Sequence, residues 1–158
     1  MSRQKYAKKS LGQHFLHSPE VRDRILSAAD DVRGKNILEI GPGLGFLTTK
    51  LLSGGAHLTA IELDERSVTT LEKDFGHKQN FHLIHGDILQ QDLDTLFEQK
   101  KYSIIANIPY NITAPILRKI LSKTKNKPET AILMVQEEVA QKICPPHSVT
   151  KQWKRSIP

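Results

Sequence analysis

A single cysteine, Cys144, leaves no partner for an internal disulfide. The fold therefore relies on its core, and a reducing cytoplasm is the expected setting. No apolar run approaches the roughly 18 to 20 residues that cross a bilayer, so no membrane partner is expected. The basic, polar N-terminus lacks the apolar core of a secretory leader. No period of about 20 to 50 residues recurs, which excludes a solenoid, and low-complexity blocks are absent. Histidines are present, but His14 with His17 and His82 with His85 lack acidic or cysteine partners at ligand spacing. No metal is expected.

What is there suits one soluble domain with a real core: 158 residues, 38% apolar and 25% charged. The net charge of +6 is uneven, with Arg3, Lys5, Lys8 and Lys9 at one end and Lys151, Lys154 and Arg155 at the other. Basic ends track polyanions, although solvated tails have the same composition.

In chain order, Ser18-Pro19 reads as a cap and first-turn proline for a helix burying Val21, Ile25, Leu26 and Ala29. A strand at Asn36 to Ile40 runs into Gly41, Gly43 and Gly45, and a helix is predicted from about Leu44 to Leu52, stopping at Gly54-Gly55. Leu58 to Leu63 reads as the second strand, followed by a helix from Asp64 or Glu65 to Phe75. His82 to His85 is the third, closed by Gly86-Asp87. A short helix at about Asp94 to Gln99 precedes the fourth strand, Tyr102 to Ile108. Thr113 is predicted to cap a helix whose Ile116, Leu117, Ile120 and Leu121 form one apolar stripe, with Arg118, Lys119 and Lys123 outside it. Thr130 to Val135 is the fifth strand, and Glu137 opens a last helix. Strands and helices alternating in this way predict right-handed βαβ units, hence an α/β fold with a parallel sheet covered by helices on both faces.

Ligands in such sheets bind beyond the carboxyl ends of the strands, where strand order reverses. Polar residues fall there: Glu39 to Gly41 after the first strand, Glu62 after the second, Asp87 after the third and Asn107 after the fourth. The glycine loop alone also fits a tight turn without a ligand. Its spacing is GxGxG, with Phe46 where a dinucleotide fingerprint has its last glycine, so NAD is disfavoured. Glu62 lies 21 positions beyond Gly41, close to the spacing at which an acidic residue accepts from ribose hydroxyls. Asp87 can accept from an adenine amine, a bond of roughly 1.5 to 3 kcal/mol. With no pyrophosphate to cradle, S-adenosylmethionine fits better. In Asn107-Ile108-Pro109-Tyr110, the Asn oxygen and a carbonyl near the proline can both accept from one amino group of a planar base. Tyr110 offers that base a face, worth roughly 1 to 3 kcal/mol. Held so, the amine presents its lone pair to a sulfonium methyl, and positioning with electrostatics carries the rate.

KKSLGQHFL at Lys8 to Leu16, EIGPGLGFLT at Glu39 to Thr48, Glu62-Leu63-Asp64, Gly86-Asp87 and NIPYNIT at Asn107 to Thr113 occur in the order seen in KsgA-type ribosomal RNA adenine dimethyltransferases, kin of the Erm-type enzymes. The chain resembles the KsgA branch more than the Erm branch. The resemblance implies a Rossmann-like S-adenosylmethionine-dependent methyltransferase fold. It implies His14 and Leu16 in contact with that cofactor, Gly41 and Gly43 along its methionine part, Glu62 on the ribose and Asp87 on the adenine, with Asn107 reaching both cofactor and target. Asn107, Pro109 and Tyr110 are the implied catalytic residues. The implied reaction is successive N6-methylation of adenines in small-subunit ribosomal RNA, free or in a pre-ribosomal subunit, by a monomer. The target base must swing out of its stack to react.

The resemblance covers about Gln4 to Ile143. The expected organisation is an incomplete methyltransferase domain over residues 1–143, lacking the last strands and the C-terminal helical domain, and a divergent, disordered tail at 144–158. That tail, CPPHSVTKQWKRSIP, breaks at Pro145-Pro146 and has no helical or strand period. Without further strands the fifth would be an apolar edge, with Trp153 available as a partial cover. A nonenzymatic RNA-binding or ribosome-assembly factor on the same scaffold is the competing reading.

Overall fold

Five short strands alternate with helices along the chain of a computed structural model, which describes residues 18–108 and 112–143. The strands are β1 (Asn36–Ile40), β2 (His57–Glu62), β3 (Phe81–His85), β4 (Ser103–Asn107) and β5 (Thr130–Met134). All pair in parallel, in the order β3-β2-β1-β4-β5. The order reverses between β1 and β4. Their register runs only through Ile37↔Ser103 and Leu38↔Ile104, whereas β1 and β2 pair from Asn36↔His57 to Ile40↔Ile61. The sheet is thus least tied together at the carboxyl ends of the two strands flanking the reversal, where open α/β sheets hold their ligands.

The helices are α1 (Pro19–Ala28), α2 (Thr48–Ser53), α3 (Glu65–Phe75), α4 (Leu93–Phe97), α5 (Thr113–Arg118) and α6 (Glu137–Ile143). Ser18 caps α1 by accepting from the Val21 amide, with Pro19 in the first turn. Asp64 caps α3 in the same way. One face of the sheet buries Ile37, Leu58 and Ile105 against Ile25 of α1 and Leu51 and Leu52 of α2. The other buries Leu38, Ile40, Ile104 and Ala106 against Leu93 and Phe97 of α4 and Ile116 of α5. Each such side chain contributes roughly 1.5 to 3 kcal/mol. Phe97 also stacks on Tyr102, with centroids 4.0 Å apart, and the Tyr102 hydroxyl donates to the Asn126 carbonyl at 3.0 Å.

Four local expectations are corrected. Helix α2 begins at Thr48 rather than Leu44, because Gly45 sits at φ +77°, which a right-handed helix does not admit. Helix α4 begins after an Asp92 cap, and it ends where Glu98 turns left-handed at φ 44°, ahead of Gln99. Thr113 is the buried first residue of α5, not its cap; Ile112 holds that position without a side-chain cap bond. Beyond Arg118 the helix widens into a π-helical turn, Lys119–Lys123. The wider turn breaks the 3.6-residue period, so Ile120 stays buried while Leu121 leaves the stripe and is 64% exposed.

Strand β5 pairs only with β4 among the described residues, and Thr130 and Ala131 are exposed. The edge expected there is present in that sense. Cys144, Trp153 and the rest of 144–158 lie outside the described residues, as do residues 1–17. Among the described residues no helix is long and apolar enough to cross a membrane.

Candidate functional site

The parallel arrangement puts the carboxyl ends of all five strands on one rim, and most of the singled-out residues stand there. Gly41, Gly43 and Gly45 form the β1–α2 loop with φ of 65°, 59° and 77°. Three alternate residues in the left-handed region explain the spacing, since a Cβ is disfavoured at each. The loop is tied to β2 at two points. The Gly41 amide donates to the Ile61 carbonyl at 2.9 Å, and the Gly43 amide donates to Glu62 Oε2 at 2.9 Å.

Glu62, the last residue of β2, is only 4% exposed. Its Oε1 accepts from the amides of Leu63 and Asp64, both at 2.8 Å. A carboxylate has about four lone-pair sites. Three are taken by amides, so Glu62 clamps the glycine loop to the start of α3 and keeps one position for a further donor. Burial pushes its carboxyl above the usual carboxylate range, and the three amides and the neighbouring Asp64 charge act against and with that push. The ribose role expected for Glu62 needs such an acceptor. A second ribose hydroxyl needs one of the amide bonds to yield.

Asp87 follows directly, because the Gly86 amide donates to the Glu62 carbonyl at 2.8 Å. Asp87 Oδ1 accepts from the Leu89 amide at 2.8 Å, closing a local turn that fixes the carboxylate at the mouth of β3. Asn107 ends β4 on the far side of β1, paired in register with Met134 and half-buried. The structure thus joins Gly43 to Glu62 by a side-chain bond and Glu62 to Gly86, the neighbour of Asp87, by a backbone bond, with Asn107 across the β1–β4 reversal on the same rim. His14, Leu16, Pro109 and Tyr110 lie outside the described residues.

Glu39 differs from its expected place on the open rim. It is 2% exposed, and it accepts from the Thr48 hydroxyl at 2.7 Å beneath the glycine loop. Burial, helped by the nearby Glu62 charge and opposed by the Thr48 bonds, pushes its carboxyl up to about 8. A charged residue amid ILEI, in a strand buried on both faces, is the signal that it needs an internal partner. Two contacts carried no sequence signal: the Arg22 guanidinium lies 4.8 Å from the Phe46 ring, bracing α1 on the loop, and the Lys119 ammonium donates to the Leu89 carbonyl at 3.2 Å.

The arrangement can hold a nucleoside by its hydroxyls and amine. No lysine or arginine occurs from Glu39 to Thr49, while Glu62, Asp64 and Asp87 surround the loop. The surroundings carry both signs, because Arg22 lies against Phe46 and Arg66 pairs with Asp64 at 3.1 Å. Among the described residues no group of three or more His, Cys, Asp or Glu is disposed to hold a metal.

Comparison with known proteins places the chain in a family. The sequence matches the family described as ribosomal RNA adenine dimethylase over residues 4–157, which runs past Ile143, where the motif resemblance ends. It is 44% identical over 138 residues to ribosomal RNA small subunit methyltransferase A of Dehalococcoides mccartyi strain CBDB1, covering 87% of this chain and 47% of that one. To the protein of the same name in Synechococcus elongatus it is 42% identical over 147 residues, covering 87% and 53%. The chain therefore spans about half the length of the curated relatives it matches. Among solved structures, a dimethyladenosine transferase from Plasmodium falciparum superposes with a TM-score of 0.71 at 30% identity, over 82% of this chain and 46% of that one. The 23S rRNA methyltransferase ErmE gives 0.70 at 26% identity, over 83% and 51%. The sheet is thus that of the Rossmann-like methyltransferases, and the chain belongs to the ribosomal RNA adenine dimethylase family.

Proposed function

We propose that this chain binds S-adenosylmethionine on its strand-end rim and is the cofactor-binding part of an enzyme that dimethylates N6 of adenines in small-subunit ribosomal RNA. One observation carries the reading: the buried Glu62 carboxylate clamps the Gly43 amide at the end of the strand next to the one that Asp87 follows, across the strand reversal from Asn107. Glu62 and Asp87 hold the ribose and adenine of the cofactor, Gly41 and Gly43 let its methionine part approach the backbone, and His14 and Leu16 complete its contacts. The family match supports this ligand.

Bound S-adenosylmethionine supplies an electrophilic methyl group. The Asn107 side-chain oxygen and a carbonyl near Pro109 accept from the two hydrogens of the target amine, while Tyr110 stacks on the ring. Held so by Asn107 and the carbonyl near Pro109, the amine would present its lone pair to the methyl group that S-adenosylmethionine would supply. Positioning supplies most of the acceleration, and no strong base is required. The protein works as a monomer in the cytoplasm, on RNA free or within a pre-ribosomal subunit.

Two measurements test the reading. Isothermal titration should detect S-adenosylmethionine binding. Methyl transfer to unmethylated small subunits should be seen with the unaltered chain and lost with Asn107→Ala. The half-length match to its relatives keeps one other reading in play, an RNA-binding assembly factor on the same scaffold. Cofactor binding with equal inertness of both versions favours that factor; no cofactor binding overturns the proposal.

A further inference from the structure

Residues 118–127, RKILSKTKNK, carry five cations and no acidic residue. They span the end of α5, its π-helical turn and the approach to β5. Arg118, Lys119 and Lys123 line one groove of about 250 Å³ together with Leu89, Ala114 and Pro115. None of the three cations is in an ion pair among the described residues. The nearby acids of α4 are engaged locally. Asp92 accepts from the Thr95 hydroxyl and from the amides of Asp94 and Thr95, and Asp94 accepts from the amides of Lys125 and Asn126. The Asp92 carboxylate also feels the Lys119 charge.

The groove is joined to the rim by two hydrogen bonds. Lys119 Nζ donates to the Leu89 carbonyl at 3.2 Å, and the Leu89 amide donates to Asp87 Oδ1 at 2.8 Å. The Lys119 ammonium is therefore held in place beside the mouth of β3 rather than sweeping through solvent. Ala114 and Pro115, one turn before Arg118 and Lys119 on the same helix face, add an apolar floor to the groove.

We infer that this groove seats the phosphodiester backbone of the RNA strand that carries the target adenine, with Arg118, Lys119 and Lys123 as its phosphate contacts. The inference rests on the RNA-methylating reading and deepens it by naming where the strand runs. Arginine offers a planar fork that matches a phosphate, and lysines add point charges. Such contacts set orientation and register without reading sequence. A strand seated here lies next to the rim and on the α4–α5 face, away from the face covered by α1, α2 and α3.

The test is binding of a fluorescent adenine-containing hairpin RNA to the full chain by anisotropy, over a series of salt concentrations. Each phosphate contact to a duplex contributes about 0.9 to the slope of log affinity against log salt. Arg118→Ala/Lys123→Ala should weaken binding about tenfold at moderate salt and lower that slope by about two. Lys50→Ala/Lys73→Ala, two exposed charges on the opposite face, should change neither. An Arg118→Gln/Lys123→Gln pair, which keeps side-chain length, should repeat the loss. Affinity within twofold of the unaltered chain with a parallel slope, or an equal loss in the Lys50/Lys73 control, overturns the groove. Titration of S-adenosylmethionine on each variant reports separately on the functional reading, and should be unchanged by all of them.

Discussion

The Thr48 hydroxyl meets Glu39 Oε2 at 2.7 Å, joining the first residue of α2 to the carboxyl end of β1 beneath the glycine loop. The Glu39 carboxyl titrates near 8 instead of its ordinary 4.5, so the folded chain keeps a proton that the unfolded chain has released. Stability from this group is complete below pH 4.5 and falls as pH rises towards 8, by about 1.4 kcal/mol per unit at most. Glu39→Gln has nothing to ionise and should escape that loss. Urea midpoints of the two proteins should nearly coincide at pH 4.5 and diverge by pH 8.5, with the Glu39→Gln variant ahead by on the order of a few kcal/mol. Burial raises Glu62 in the same direction, and because the two carboxylates repel, removing the Glu39 charge eases ionisation of Glu62 and widens the gap in the same sense. A gap that is the same at both pH values would remove Glu39 as its source.

Gly45 answers to two constraints at once. Its φ is +77°, and a Cβ there would lie 2.7 Å from Phe75 Cε2 and 3.2 Å from Leu71 Cδ2. Phe75 in turn packs edge-on against Phe81, at 5.8 Å, so its ring has little room to retreat. Gly45→Ala should cost roughly 2 to 4 kcal/mol by denaturant unfolding, from backbone strain and overpacking together. Gly34→Ala is the comparison, because φ there is +69° with nothing within 4 Å of the added carbon. It should cost only the backbone share, about 1 kcal/mol. Equal costs would mean that the contact with Phe75 is relieved freely.

Element order and sheet class were legible in the sequence because each strand is a short, largely apolar stretch, and glycines close two of them: Ile40 before Gly41, and His85 before Gly86. Ser18-Pro19 fixed the start of α1 through a local hydrogen bond, which sequence can encode. Leu121 was misread because a π-helical turn is a matter of backbone hydrogen-bonding partners, and the side-chain pattern before it is ordinary. Glu39 was assigned to the rim because a strand-end acidic residue looks the same whether its carboxylate opens to water or turns under the loop. Its partner, Thr48, is nine residues away and is brought close only by the three positive-φ glycines. The Asp87–Leu89–Lys119 chain spans more than thirty positions and depends on how α5 packs, which no local pattern states.

Strand β5 ends the described sheet with Ala131 exposed and Ile132, Leu133 and Met134 half-buried. Unpaired backbone beside such side chains invites pairing with another chain. Ala131→Lys puts a charge on that edge without touching the core. Light scattering after heating at fixed concentration should show slower growth of large species for the variant, with the same unfolding midpoint. Unchanged growth would place the association surface elsewhere.

Glu62 and Asp87 make different demands on their replacements. Glu62→Gln keeps shape, but its NH₂ must face either the Gly43 amide or the amides of Leu63 and Asp64, so one orphaned donor and a repulsive contact appear in a buried site. The loop loosens as well as losing an acceptor. Asp87→Asn turns its amide oxygen to the Leu89 amide and presents NH₂ to the ligand, so the turn survives and only the outer contact is lost. On the proposed assignment, S-adenosylmethionine binding should fall by about 10- to 100-fold for Glu62→Gln and by about tenfold for Asp87→Asn, the range of one charged hydrogen bond each. The two should also separate in thermal unfolding: Glu62→Gln lowers the midpoint and Asp87→Asn leaves it near the original. If Asp87→Asn destabilises as much as Glu62→Gln, its carboxylate serves the fold, and the adenine amine must find another acceptor.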